Sequence, residues 1–135
     1  MMNELRLFKQ AKELCSYVMV ITENSPKKFR WTITQRMHGL CLDIIEQIYL
    51  ANDVYITEAN AKEMYRMRRK HQNTAFARLK ILGFMSELAM KRGVILPKQF
   101  ERISKLSAEC QNLLGGWVKS DRKQLKQKFG LSIEG

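Results

Sequence analysis

The segment EANAKEMYRMRRKHQNTAFARLKILGFMSELAMKR, residues 58–92, decides the fold. It contains no proline and a single glycine, and its apolar residues recur three or four apart: Ala61, Met64, Met67, Ala75, Leu79, Leu82, Met85 and Ala89, with His71 in the same series. That period draws one stripe down one side of a helix, whereas a strand would alternate every second residue. Thr57 stands where an N-cap belongs, so a helix is expected over 58–92.

The flanking segments repeat the pattern. Residues 3–23 carry Leu7, Phe8, Ala11, Leu14, Cys15, Val18 and Ile21 on one face, and residues 26–52 carry Ile33, Met37, Leu40, Cys41, Ile44, Ile48 and Ala51. Residues 97–118 carry Phe100, Ile103, Leu106, Cys110, Leu113 and Trp117, with Pro97 at the start and Gly115-Gly116 closing the apolar run. Four such helices joined by short turns predict an all-α, antiparallel up-down-up-down four-helix bundle over 1–118. The remainder, 119–135, reads as a basic C-terminal tail, partly ordered. At 135 residues the chain makes one domain with one core.

Charge is unevenly distributed. The chain is +11 overall, with nine basic against three acidic residues in 54–93 and five against two in 119–135, while 1–24 is balanced. Clustered Lys and Arg release counterions when they neutralise phosphates, so a polyanion partner is expected. Projected at 100° per residue, Lys62, Arg66, Arg69, Lys80 and Lys91 fall within about 40° of one line, nearly opposite the core stripe. This basic rail has Glu87 as its one acidic member. Lys27, Lys28, Arg30 and Arg36 form a second cluster around Phe29 and Trp31. Arg68 and Arg78 flank the core stripe, which leaves two readings: snorkelling at the bundle edge, or pointing into an inter-subunit groove or pore to meet phosphate. Beside the rail runs an extra apolar seam of Ala77, Ile81, Phe84 and Leu88, and the second helix adds Trp31, Leu42 and Tyr49 away from its core face. Apolar residues on two faces of so small a protein point to a homo-oligomer contact; a wide internal core or a folded-back tail would also cover them.

Catalytic patterns are missing. His38 and His71 lie on different helices without a partner at ligand spacing, and the chain has neither Cys-x-x-Cys nor His-Glu-x-x-His, so no metal, cofactor or catalytic residues are expected. Cys15, Cys41 and Cys110 sit on apolar stripes, as reduced thiols of a cytoplasmic protein would. No signal peptide is recognisable at the N-terminus, and no apolar run approaches the roughly 18 residues a membrane span needs.

Three stretches carry a family resemblance. Leu42-Asp43-Ile44-Ile45-Glu46-Gln47-Ile48 with Ala51, the Arg/Leu pattern from Ala75 to Ala89, and Leu113-Leu114-Gly115-Gly116-Trp117-Val118-Lys119 followed by Arg122 and Lys123 resemble the accessory variability determinant proteins of diversity-generating retroelements. The chain departs from that pattern at Gln111 and Asn112, where the family often has a glycine and a basic residue. The resemblance implies a pentameric barrel of four-helix bundles, non-enzymatic, that binds a retroelement reverse transcriptase and its structured template RNA, or DNA or an RNA/DNA hybrid. Such an assembly supports mutagenic cDNA synthesis. It further implies Arg66, Arg69, Arg78, Lys80, Arg122, Lys123, Lys126 and Lys128 as contacts to RNA or polymerase, with Lys119 beside them. Ribosomal intervening-sequence bundle proteins resemble the chain in fold and in the Pro-Lys start of the second helix, though without so sharp a Gly-Gly-Trp ending. A plain helical interaction module and an unrecognised hydrolase are the remaining alternatives.

Overall fold

A computed structural model describes residues 2–131, and its described residues are helical throughout except for short connections. Four helices follow in order: α1 (Met2–Ile21), α2 (Gln35–Asn52), α3 (Ala61–Lys91) and α4 (Pro97–Phe129). α1 packs on α2 and α4, and α3 packs on α2 and α4, so the four surround one core. Their register is fixed by polar contacts across each seam. The Cys15 thiol donates to the Cys41 carbonyl at 3.2 Å and His38 meets Thr22 at 2.7 Å between α2 and the end of α1. Gln47 meets His71 at 2.8 Å, and Asp43 pairs with Arg78 at 3.5 Å, between α2 and α3. Gln10 donates to Glu109 at 3.1 Å, and Arg102 pairs with Glu13 at 3.5 Å, between α1 and α4. Along each seam the residue numbers fall on one helix as they rise on the other.

The expected stripes of α1, α2 and the first part of α4 are the core. Leu7, Leu14, Val18, Met37, Leu40, Ile44, Ile48, Ile103 and Cys110 are fully excluded from water. Each large aliphatic side chain so buried contributes about 1.5–3 kcal/mol relative to exposure. α3 begins behind Thr57, whose backbone N–H donates to Asn60 Oδ1 at 2.7 Å. It ends where Gly93, at φ +77, adopts the left-handed conformation open to a residue without Cβ. The N–H groups of Val94 and Gly93 then reach back to Ala89 and Met90 at 2.8 and 3.1 Å, which closes the helix.

Two expectations are corrected. In its first half α3 does not bury Met64, Met67 and His71; it buries Tyr65 and Gln72, while Met67 is 45% exposed. The stripe is turned by one residue because the interior at this end is polar. Arg68 points inward: its guanidinium pairs with Asp121 at 3.0 Å and donates to the carbonyls of Ala51 and Val54 at 3.1 and 3.0 Å, and Gln72 completes the carboxylate at 3.1 Å. Arg68 therefore neither snorkels nor faces a pore. The second correction concerns 119–135. Gly115-Gly116 does not end the fourth helix, which runs on to Phe129 because Trp117, Val118, Asp121 and Leu125 keep burying a face at helical spacing. Gly115 packs beside Phe76, and a Cβ built there would lie 3.9 Å from the Phe76 ring. Gly130, at φ +62, stops the helix. Residues 132–135 of the expected tail lie outside the described residues.

The extension makes a distinct end. α1 starts at Met2 and α2 stops at Asn52, whereas α3 and α4 continue together and bury Ala61, Tyr65 and Leu125 with Ile56, Phe129 and Leu131 packed against them. The Arg68–Asp121 pair sits at the base of this two-helix end. Burial raises the Asp121 carboxyl above the usual range even though Arg68 and Gln72 oppose the shift. An acid whose pKa is higher folded than unfolded contributes stability that is complete below the unfolded value and is lost as pH rises through the folded one. Urea unfolding should therefore show a loss on raising pH from the ordinary carboxylate range through the Asp121 titration, a component missing from Asp121→Asn. Arg68→Ala, which leaves a buried carboxylate unpaired, should cost about 3–5 kcal/mol, and Arg68→Met with Asp121→Leu should recover most of it.

Candidate functional site

The two-helix end gathers the basic residues. On α3, Lys62 and Arg66 are exposed and Arg69 is half-buried; on α4, Lys119, Arg122, Lys123, Lys126 and Lys128 are exposed. Asp121, the sole acidic residue of α4 beyond Glu109, is turned inward to Arg68, so it does not offset them. None of these eight cations has an ion-pair partner among the described residues. Arg69 and Arg122 approach across the α3/α4 seam. Burial, and then the charge of Arg122, push the Arg69 guanidinium below its usual value, and its Nη1 is enclosed without a hydrogen-bond acceptor. A guanidinium held next to another cation with an unused donor suits an anion with several acceptor oxygens.

The opposite end carries the second cluster. Lys27, Lys28, Arg30 and Arg36 are all exposed. The expected single helix over 26–52 is three pieces: a 3₁₀ turn at Lys27–Phe29, a π-helical turn at Arg30–Thr34, then α2. Phe29 is flanked by two cations, Lys28 at 5.2 Å and Arg92 at 5.6 Å from its ring centre, so the end of α3 joins this cluster. Arg92 was missed in sequence because it lies beyond the projected rail, next to a helix-ending glycine. Lys80, exposed midway along α3, stands between the two ends, which the helix separates by about 46 Å.

Arg78, expected to flank the core stripe, is engaged with Asp43 across α2/α3. Of the expected seam, Phe84 is 73% and Leu88 43% exposed and Ala77 is exposed, while Ile81 is half-buried against the core and so leaves the seam. Leu42 and Tyr49 are each 58% exposed and Trp31 is 78% exposed. Phe84 and Lys80 line a cleft between α3 and α4 together with Phe100 and Gln111. No family model, curated protein or solved structure matches the chain. Its own geometry therefore carries the functional reading.

Burial raises the Cys110 thiol to about 12, and a side-chain hydrogen bond with Cys41, then burial, raise Cys15 further, so both are held protonated. Among the described residues no three His, Cys, Asp or Glu side chains gather to hold a metal ion, and no helix is long and apolar enough to cross a membrane.

Uncompensated repulsion makes a measurable claim. Arg122→Gln should raise stability by about 0.5 kcal/mol at low ionic strength, and the gain should fade with added NaCl. Urea denaturation at 20 mM and 500 mM salt would reveal it; equal stability of the two proteins at low salt would mean that the two guanidinium groups do not oppose each other.

Proposed function

We propose that this chain is a non-enzymatic, nucleic-acid-binding accessory protein that holds structured RNA and a polymerase together through a basic surface. The observation that carries this reading is the two-helix end, where cations from α3 and α4 converge and outnumber the exposed Glu58 and Glu63, while Asp121 is turned inward to Arg68. Binding there works through backbone charge and shape, since duplex RNA hides its base edges in a deep, narrow groove. By the family resemblance, the polymerase is the reverse transcriptase of a diversity-generating retroelement, the RNA its template, and the setting cytoplasmic.

The same reading takes the bundle as antiparallel, up-down-up-down, supported by the falling and rising residue numbers across each seam. It takes the assembly as a homopentamer, supported by the exposed Leu42, Tyr49, Phe84 and Leu88. A ring would set several basic ends side by side and multiply the charge presented to one RNA.

Affinity for a structured RNA should fall steeply with salt, with a log–log slope near −5 if about six phosphates are contacted. Changing Arg69, Arg122 and Lys126 together to Glu should flatten that slope by about three and leave helicity unchanged by circular dichroism. A slope near zero for the unaltered protein would sink the nucleic-acid reading. For the assembly, Phe84→Asp should give a folded particle of lower mass by light scattering, and an unchanged mass would exclude Phe84 from the contact.

A further inference from the structure

The π-helical turn at Arg30–Thr34 sets Trp31 outward with 78% of its surface in water, an unfavourable position for an indole with no ligand. Such turns insert one extra residue per turn and recur at functional sites. Here the buried stripe begins with Ile33 inside the turn and continues with Met37, so Trp31, two residues before Ile33, lies on the opposite, outer side. Two clefts open against the indole. One is lined by Thr32, Gln35, Arg36 and Gly39, where a Cβ on Gly39 would meet nothing within 4 Å. The other, of about 370 Å³, is bounded by Glu23, Arg30, Thr34, Gln35 and His38.

The second cleft has a defined hydrogen-bonding pattern. The Thr22 hydroxyl donates to the Val18 carbonyl at 2.7 Å and so accepts from His38 Nε2–H, also at 2.7 Å. This leaves His38 Nδ1 as an acceptor. Glu23 supplies a second acceptor, and Arg30 and Gln35 supply donors. Thr34 is 6% exposed, and its hydroxyl has no partner among the described residues. An aromatic platform beside both donors and acceptors, with Arg36 on the neighbouring cleft and Lys27 and Lys28 exposed in the preceding turn, matches a planar heterocycle attached to phosphate.

We propose that the cleft beside Trp31 is a pocket for one unpaired nucleobase, stacked on the indole, with guanine the best match. Guanine offers N1–H and an exocyclic amine to the Glu23 carboxylate, and O6 and N7 to the guanidinium of Arg30. The basic residues around it hold the flanking phosphates. This deepens the nucleic-acid reading, because that reading uses only charge and shape whereas this site recognises a base in a single-stranded stretch.

The full chain has two tryptophans, and Trp117 is 1% exposed, so quenching by a ligand reports on Trp31. Three RNAs are titrated at fixed salt: an eight-nucleotide oligouridine, the same strand with one central guanosine, and a blunt duplex with as many phosphates. The guanosine strand should quench and bind about tenfold more tightly than oligouridine, while the duplex binds without quenching. Trp31→Ala should weaken the guanosine strand tenfold to a hundredfold and spare the duplex. Glu23→Gln should abolish the guanosine preference and spare oligouridine. Equal quenching by duplex and single strand, or a Trp31→Ala protein that binds all three unchanged, overturns the pocket and leaves the charge-based reading standing. Failure of all three RNAs to bind overturns both. If Trp31 emission is already blue-shifted without RNA and Trp31→Ala lowers the particle mass, the indole is a contact between copies and the pocket is rejected.

Discussion

A single buried guanidinium organises one end of this molecule. Arg68 spends its donors on the end of α2 through Ala51, on the following turn through Val54, and on α4 through Asp121, and lies 5.6 Å from the ring centres of both Tyr65 and Trp117. An isolated charge in that position would be prohibitive, and the partners must all be present for the arrangement to hold. Three elements are thus tied by one side chain. That tie allows α3 and α4 to leave the core together as a pair.

The functional arrangement follows from the same tie. Because Asp121 is withdrawn to satisfy Arg68, the outer surface of the last turns of α4 keeps its lysines and arginines without an acidic residue of that helix among them. Structural neutrality inside is obtained by leaving positive charge outside, and Arg69 beside Arg122 shows how far this goes. At the far end of α3 a different logic operates, since the cations there surround aromatic rings, with Phe29 between Lys28 and Arg92 and Trp31 fully presented.

The aliphatic interior was legible in the sequence because Leu, Ile, Met and Cys at three-four spacing have one low-energy destination. Every member of the expected stripe of 26–52 is buried. The polar interior was not legible, because the spacing argument scores Met64 and Met67 above Tyr65, Arg68 and Gln72, and only the position of Asp121 on another helix reverses that order. One signal was available: Asp121 is a lone acid among five cations, in phase with Val118 and Leu125, and an acid on an apolar face needs a buried cation. The Gly-Gly pair misled for a related reason, since glycine weakens a helix by about 1 kcal/mol but cannot end one whose downstream residues still have a surface to cover. Of the site, the cations themselves could be named from sequence. Their grouping at two ends, and the π turn at Trp31, depend on contacts between helices.

The small second core beneath the two-helix end has a thermodynamic meaning of its own. Among the described residues only Ala61, Tyr65 and Leu125 form its buried cluster, against more than twenty residues in the main core, so the turns beyond Asp121 can open without unfolding the bundle. Mutual repulsion of the cations favours that opening, and a bound polyanion, by screening them, favours closure. If the end takes a polyanion as proposed, it is softest when empty and firmest when loaded. On that reading part of the energy of contact would be stored as order in the last turns of α4, giving the rest of the protein a mechanical record of whether the end is occupied.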